Sequence, residues 1–128
     1  MYTIGDFLIR LKNAYLARKK EIIFPYSKVV KSIGKILEEE GYIKKISEKT
    51  EEKKKQLIIE LLYKSKKPVF NDVILISKPS VHVYVDKKNI PNTRGGFGIT
   101  IISTNKGILT DKKARKENVG GKVLCQIF

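Results

Sequence analysis

The stretch Ile101-Ile-Ser-Thr-Asn-Lys-Gly-Ile-Leu-Thr-Asp-Lys-Lys-Ala-Arg115 decides the fold of the second half of the chain. An apolar run enters a polar loop at 103–107, and a second apolar segment leaves it. This order predicts two strands joined by a tight turn at the glycine, followed by a basic helix that opens at Thr110-Asp111. The loop carries two hydroxyls, an amide and an ammonium, which can hydrogen-bond sugars, phosphates and base edges. It contains no acid–base pair, so it indicates recognition rather than catalysis.

The charge of the whole chain supports the same interpretation. Its 128 residues include 27 Lys and Arg against 13 Asp and Glu, a formal net charge of +14. A folded protein with so large an excess usually has a polyanionic partner, most often nucleic acid. A cationic surface without a partner is the plainer alternative. Membrane-surface binding is disfavoured, because the apolar stripes of this chain are needed for a core.

The single cysteine and the apolar segments indicate the compartment. Cys125 lies in an apolar strand near the end of the chain, so we expect a buried structural thiol. One cysteine cannot form an intrachain disulfide, which fits a reducing compartment. No apolar run approaches the roughly 18 residues of a membrane span, and the first residues lack the layout of a signal peptide. We therefore expect a cytoplasmic protein.

The first half of the sequence mixes helices and strands. Apolar residues recur at helical spacing from Ile4 to Tyr15, which predicts a helix from about 4 to 17 with a basic face. A short strand at 21–24 ends at Pro25, and Ser27 can cap a second helix. Two strands are expected at 42–47 and 57–63, with the charged segment 48–55 as their hairpin loop.

The second half is mostly strands. Strands are expected at 73–76, at 81–85 with valines alternating, at 99–102 and at 123–127; the helix at 111–118 should end at Gly120-Gly121. Residues 64–68 are polar, basic and end in proline, which is typical of a linker. The predicted fold class is therefore α+β, and 128 residues can form one compact domain or two small ones that share a core. The linker would divide the chain into an N-terminal half at 1–63 and a mostly-β C-terminal half at 69–128, which carries the polar loop.

Several residues have two interpretations. His82 is the only histidine, so a hydrolase would have to be built on it or on Ser103; a lone histidine beside valines more often faces solvent or a neighbouring strand. With no Cys/His cluster, no metal site is expected. Tyr84 lies opposite the valines and can stack on a base or pack in the sheet. Ser27-Lys28 is either a simple N-cap or a phosphate contact.

Taken in order, these segments resemble the small-subunit ribosomal protein S-eight family of bacterial type. The match covers nearly the whole chain and is most specific from Ser103 through Thr110-Asp111 and Ala114-Arg115 to Gly120-Gly121 and Leu124-Cys125. The opening helix is similar too, as are Pro25-Tyr-Ser-Lys28 and Glu39-Glu-Gly-Tyr-Ile43. The loop departs at Asn105, where the family usually has serine; both side chains donate and accept hydrogen bonds.

The resemblance implies two small α+β subdomains packed together, the N-terminal one at 1–63 and the mostly-β C-terminal one at 69–128. It also implies a structural protein without catalytic activity, cofactor, metal or small-molecule substrate. It implies a monomer in the small ribosomal subunit that touches neighbouring ribosomal proteins, binds a helical junction in the central domain of the ribosomal RNA and acts in subunit assembly. The residues expected to contact RNA are Ser103, Thr104, Asn105, Lys106, Gly107, Tyr84, Arg10, Lys12, Asn13, Ser27 and Lys28. The alternative function is a free-standing RNA-binding translational regulator.

Overall fold

Helices and antiparallel sheets share the chain, which confirms the predicted α+β class. The computed structural model describes residues 3–78, 80–90 and 98–128. Contacts divide the chain into two compact units, Thr3–Asn71 and Asp72–Phe128. The first contains α1 (Thr3–Leu16), β1 (Glu21–Pro25), α2 (Lys28–Glu39), β2 (Lys45–Glu51), β3 (Lys54–Glu60), β4 (Tyr63–Lys64) and β5 (Lys67–Pro68). The second contains β6 (Val73–Leu75), β7 (Tyr84–Val85), β8 (Ile99–Thr104), β9 (Gly107–Thr110), α3 (Asp111–Glu117) and β10 (Gly121–Ile127).

The first unit packs two helices on a three-stranded sheet of order β1-β3-β2. The apolar stripe of α1 enters the core, as its helical spacing predicts. Phe7 meets Phe24 of β1 edge to face, with ring centroids 5.4 Å apart. Ser27 caps α2, as predicted, and its hydroxyl accepts a hydrogen bond from the Val30 amide at 3.4 Å. The fully buried side chains of this core include Phe7, Leu8, Leu11, Ile33, Leu37, Leu57 and Ile59.

The expected hairpin loop at 48–55 is wrong, because β2 and β3 continue through most of it. Thr50 pairs with Lys55 and Glu51 with Lys54, so only two residues form the turn. Both of them, Glu52 and Lys53, have positive φ angles, 50° and 64°. That geometry belongs to a two-residue turn whose twist matches that of the strands. Glu51 and Lys54 carry opposite charges and face each other in this ladder, which favours strand pairing over a solvated loop.

The segment expected to be a linker, 64–68, lies inside the first unit and forms the β4–β5 hairpin. An aromatic cluster fastens it there. The Tyr15 ring stacks on Phe70 with centroids 5.5 Å apart, and its hydroxyl accepts from the Leu62 amide at 3.1 Å and donates to the Tyr42 carbonyl at 2.7 Å. Burial raises the pKa of Tyr15 to about 12. The division between the units therefore follows Asn71 rather than residue 63.

The second unit is built around β10, which pairs with β6, β7 and β8. One face of the sheet packs on α3 through Ile102, Leu109 and Ala114. Cys125 is fully buried and free, which confirms the structural thiol, and burial raises its pKa to about 12. The expected strand at 81–85 is largely wrong, because only Tyr84–Val85 form a strand and the Val81 side chain is 54% exposed. Val81 pairs only with Lys78 in an isolated bridge, and the Val83 carbonyl accepts from the Val123 amide at 2.8 Å, so this segment has single backbone contacts rather than a continuous ladder.

The glycine pair before β10 has a different role from the predicted one. Helix α3 ends earlier, where Asn118 adopts the left-handed conformation at φ 60°. Gly120 and Gly121 instead let neighbouring backbones approach β10. A Cβ atom at Gly121 would lie 2.0 Å from the Ser103 carbonyl oxygen, and one at Gly120 would lie 2.3 Å from that of Val85. Strands β7 and β8 can reach this point of β10 only because both side chains are absent.

We expect Gly121→Ala to lower the free energy of unfolding by at least about 2 kcal/mol, because rigid backbone atoms must move to admit the methyl group. Gly34→Ala in α2 is the matched control. Its Cβ would also collide, at 2.2 Å, but with the flexible end of the Ile46 side chain. Alanine also has a higher helix propensity than glycine, which stabilises the Gly34→Ala variant by about 1 kcal/mol. Urea unfolding of both variants is the measurement, and a larger loss for Gly34→Ala would contradict this explanation.

Candidate RNA interface

The polar loop of the sequence is a two-residue turn between β8 and β9 that is held by its own side chain. Thr104 and Gly107 pair across the hairpin, and Gly107 has a φ of 106° that favours glycine. The Thr104 hydroxyl donates to the Gly107 carbonyl at 2.7 Å and accepts from the Lys106 amide at 3.1 Å. Thr104 therefore fixes the turn, and only part of its hydrogen-bonding capacity stays open to a ligand.

At the tip of the turn, Asn105, Lys106 and Gly107 are exposed. The Lys106 ammonium lies 3.4 Å from the Glu117 carboxylate of α3. Both side chains are about half exposed, so this ion pair adds little stability. The ion pair places the Lys106 side chain beside α3, and the exposed Asn105 supplies the side-chain amide at the tip of the turn. The turn thus presents an amide and a partly neutralised ammonium on a rigid corner.

Two predicted residues, Tyr84 and Ser103, form one row across the sheet together with Lys122, which lies between them. Lys122 of β10 pairs with Ser103 of β8 on one side and with Tyr84 of β7 on the other. Directly opposed residues in antiparallel strands project on the same face. The row continues to Ile108 of β9, and it lies on the face opposite the α3 cluster because Ile102 precedes Ser103. A ring, an ammonium and a hydroxyl are therefore neighbours; we call this set the β-row (Tyr84, Lys122, Ser103).

The exposure of the β-row suits a contact surface. The Tyr84 side chain is 68% exposed, which excludes ordinary packing within the sheet. The His82 ring lies beside it, with centroids 6.4 Å apart. Lys122 and Ser103 are half-buried, so the stem of the lysine is covered by its neighbours. Lys122 was not among the predicted site residues, because a lysine at the start of an apolar strand carries no signal until strand pairing places it between Tyr84 and Ser103.

Helix α3 and its cap hold the other end of β9. The Thr110 hydroxyl accepts from the Lys113 amide at 3.2 Å. Asp111 is buried, but its carboxylate accepts from the Arg115 guanidinium at 3.2 Å and from the Thr100 amide at 3.4 Å. The buried charge is thus satisfied by β8 and by its own helix. Asp111 thus connects β8 to α3, and Thr110, the last residue of β9, caps the same helix.

The predicted residues of the first unit fall into two places. Arg10 and Asn13 of α1 line a cleft of about 790 Å³, whose other walls include Lys19 and Ile23. The Arg10 guanidinium lies over the Phe24 ring, 5.0 Å from its centroid, and is held there by a cation–π contact.

The other predicted residues of this unit lie apart from that cleft. Lys12 is half-buried and is not one of the residues that line it. Ser27 and Lys28 lie at the start of α2, where Lys28 is exposed. The structure therefore brings Arg10 and Asn13 together and leaves Ser27 and Lys28 as a separate pair.

Comparison with known proteins identifies the family of this chain. A family model described as ribosomal protein S8 matches residues 2–128. The chain belongs to the ribosomal protein S8 family. It is 45% identical over 128 residues to the small ribosomal subunit protein uS8 of Trichormus variabilis, covering 98% of this chain and 96% of that protein. It is 47% identical over 131 residues to uS8 of Persephonella marina, with 98% and 96% covered, and 44% identical over 128 residues to uS8c of Guillardia theta, with 98% and 97% covered.

Membership in the ribosomal protein S8 family makes the chain a structural protein of the small ribosomal subunit rather than an enzyme. The resemblance found in the sequence is confirmed, and the hydrolase built on His82 or Ser103 is set aside. Across residues 3–78, 80–90 and 98–128, each helix is too short or too polar to cross a membrane. The same residues contain no group of three or more His, Cys, Asp or Glu side chains that could hold a metal ion.

We expect Thr104→Val to loosen the turn of this S8 protein while preserving its shape. The variant loses both hydrogen bonds of the hydroxyl, and the free energy of unfolding should fall by about 1 kcal/mol. Amide hydrogen exchange is the local measurement, and the Lys106 amide should exchange faster. Thr104→Ser keeps the hydroxyl and should protect that amide as the parent does. Equal exchange of the Lys106 amide in all three proteins would show that Thr104 does not hold the turn.

Proposed function

We propose that this S8 protein binds small-subunit ribosomal RNA directly, at a helical junction in the central domain, and that it acts there during subunit assembly. The observation that carries the proposal is the β-row beside the rigid 103–107 turn. It combines an exposed aromatic ring, an ammonium and hydroxyls on one face of a fixed sheet. Neighbouring small-subunit proteins complete its surroundings, and the protein acts as a monomer within the ribosome.

The β-row matches the chemistry of an RNA junction. Junctions expose unstacked bases and a ribose edge with 2′-hydroxyls, and proteins read these by stacking and by short hydrogen bonds. Tyr84 supplies the stacking surface, which is worth about 1–3 kcal/mol per base. Lys122 supplies a phosphate contact beside it, and Ser103 a hydroxyl that can donate to or accept from a 2′-hydroxyl. These three groups lie at fixed spacing because strand pairing sets it.

The turn adds specificity, and Thr104 and Gly107 contribute mainly its shape. Asn105 is exposed at the tip and can donate to and accept from one RNA group at the same time. Lys106 extends toward phosphate from a position anchored at Glu117. Because a preformed turn loses little conformational freedom on binding, its hydrogen bonds contribute more fully to affinity. The second unit, Asp72–Phe128, is therefore the proposed specificity surface.

The first unit supplies phosphate contacts. Arg10 and Asn13 border the cleft between α1 and β1, where the guanidinium is already oriented by the Phe24 ring. Ser27 and Lys28 stand at the start of α2, whose free backbone N–H groups favour an anion. Lys12 adds positive charge to the same helix as Arg10. Contacts of this kind position a protein on RNA without reading its sequence.

The test is a filter-binding titration of Asn105→Ala against a central-domain junction RNA and an unrelated hairpin at one salt concentration. A lost hydrogen bond to a buried RNA group costs about 1–3 kcal/mol, so cognate affinity should fall roughly 5- to 150-fold while binding to the unrelated hairpin barely changes. Lys53→Ala at the tip of the β2–β3 hairpin is the control and should alter neither. Equal losses on both RNAs, or a larger loss for Lys53→Ala, would contradict the proposed reading surface.

A further inference from the structure

Two turns of the first unit are joined to each other beside the Arg10–Asn13 cleft, and of their residues only Lys19 also lines that cleft. One follows α1 at Arg18 and Lys19, and the other is the tip of the β4–β5 hairpin at 64–67. The Tyr63 hydroxyl donates to the Lys19 carbonyl at 2.6 Å, and the Arg18 guanidinium donates to the Lys66 carbonyl. The Tyr63 ring also packs edge to face on Tyr15, with centroids 5.4 Å apart. These contacts make the two turns one surface, which we call the basic turn pair.

The basic turn pair carries concentrated positive charge. Its exposed cations are Arg18, Lys19, Lys64, Lys66 and Lys67, and the turns themselves contain no acidic residue. In the described part of the chain, none of these five forms an ion pair with a carboxylate. Two carboxylates, Asp6 and Glu21, line the same cleft as Lys19, and the neighbouring Lys20, which is not counted, shares a small cleft with Glu60. Five adjacent cations that form no ion pair repel one another and favour an anionic partner.

The backbone of the basic turn pair is unusual for the residues it carries. Arg18, Ser65 and Lys66 have φ angles of 58°, 52° and 65°. Glycine or asparagine adopts this left-handed conformation at the lowest cost, whereas in other residues the Cβ atom crowds the following carbonyl oxygen. Two of the three positions carry a cation in place of glycine. The Arg18 side chain is used to bridge the two turns, whereas the Lys66 side chain makes no such contact and faces solvent.

We infer that the basic turn pair is a second RNA contact, one that binds the phosphate backbone without reading sequence. This inference rests on the proposed function and extends it to a surface outside the predicted site residues. Protein interfaces have apolar cores, whereas the exposed side chains of these two turns are ammonium, guanidinium and hydroxyl groups. Such groups on two adjacent turns match successive phosphates of an RNA strand. The contact should add affinity and salt dependence but no discrimination between RNAs.

The test compares two full-length variants that each remove four positive charges. The first carries Lys19→Gln, Lys64→Gln, Lys66→Gln and Lys67→Gln, and leaves Arg18 to bridge the turns. The control carries Lys45→Gln, Lys49→Gln, Lys53→Gln and Lys54→Gln in the β2–β3 hairpin. The control region also contains Glu48, Glu51 and Glu52, so its local attraction for phosphate is weaker. Affinity for the junction RNA and for an unrelated hairpin is measured across a salt series.

Each phosphate contact contributes about 0.7–0.9 to the slope of log affinity against log salt. If five phosphates are neutralised, about two or three of them by the basic turn pair, the parent slope should be roughly −4, and the basic-turn variant should be shallower by about 2 on both RNAs. The control should stay close to the parent. An unchanged slope in the basic-turn variant, or an equal change in the control, would overturn the inference.

A charge-preserving variant separates charge from folding. Replacing the same four lysines with arginine should restore the parent slope, whereas a lasting loss would mean that packing is responsible and would overturn the inference. The proposed function fails separately, in the Asn105→Ala titration, if parent and variant bind both RNAs alike. The salt slopes of the basic-turn variant and its control still decide the second contact in that event, because they do not depend on discrimination between RNAs.

Discussion

The close approach of backbones at Gly121 is the constraint on which the second unit depends. Strand β10 receives β8 on one side and β7 on the other at the same residues, and a Cβ at Gly121 would lie 2.0 Å from the Ser103 carbonyl oxygen. Without that approach, Lys122 would not stand between Tyr84 and Ser103. The β-row is therefore a consequence of strand pairing, and its spacing is set by backbone hydrogen bonds rather than by flexible side chains.

The turn beside the β-row is also ordered by contacts within the protein, before any ligand binds. Thr104 uses its hydroxyl internally, and Gly107 adopts a backbone conformation that other residues disfavour. The residues that remain available to a ligand, Asn105 and Lys106, are thereby carried on a fixed corner. In the proposed RNA-binding function, this rigidity makes short polar side chains selective, since little conformational freedom is lost on binding.

Helices and their caps could be predicted from the sequence because they depend on residues close together in the chain. Strand partners could not, because they are distant in sequence. The apolar spacing of α1 and the Ser27 cap were enough to place both N-terminal helices. The valines around Val83 alternate like a strand, yet only Tyr84–Val85 find a partner strand. Lys122 was missed for the same reason, because its neighbours Tyr84 and Ser103 are distant in sequence. The segment 64–68 reads as a linker until Tyr15, Phe70 and the Leu62 amide place it in the first unit.

An NMR titration of the isotope-labelled protein with a central-domain junction RNA shows directly which face of the second unit binds RNA. If the β-row and the turn bind it, the largest amide shifts within the second unit fall on residues 103–107 and on Tyr84 and Lys122. Residues on the α3 face, such as Ala114, should change little. Large shifts on α3 with an unperturbed turn and β-row would contradict the account, because RNA would then bind the opposite face of the sheet.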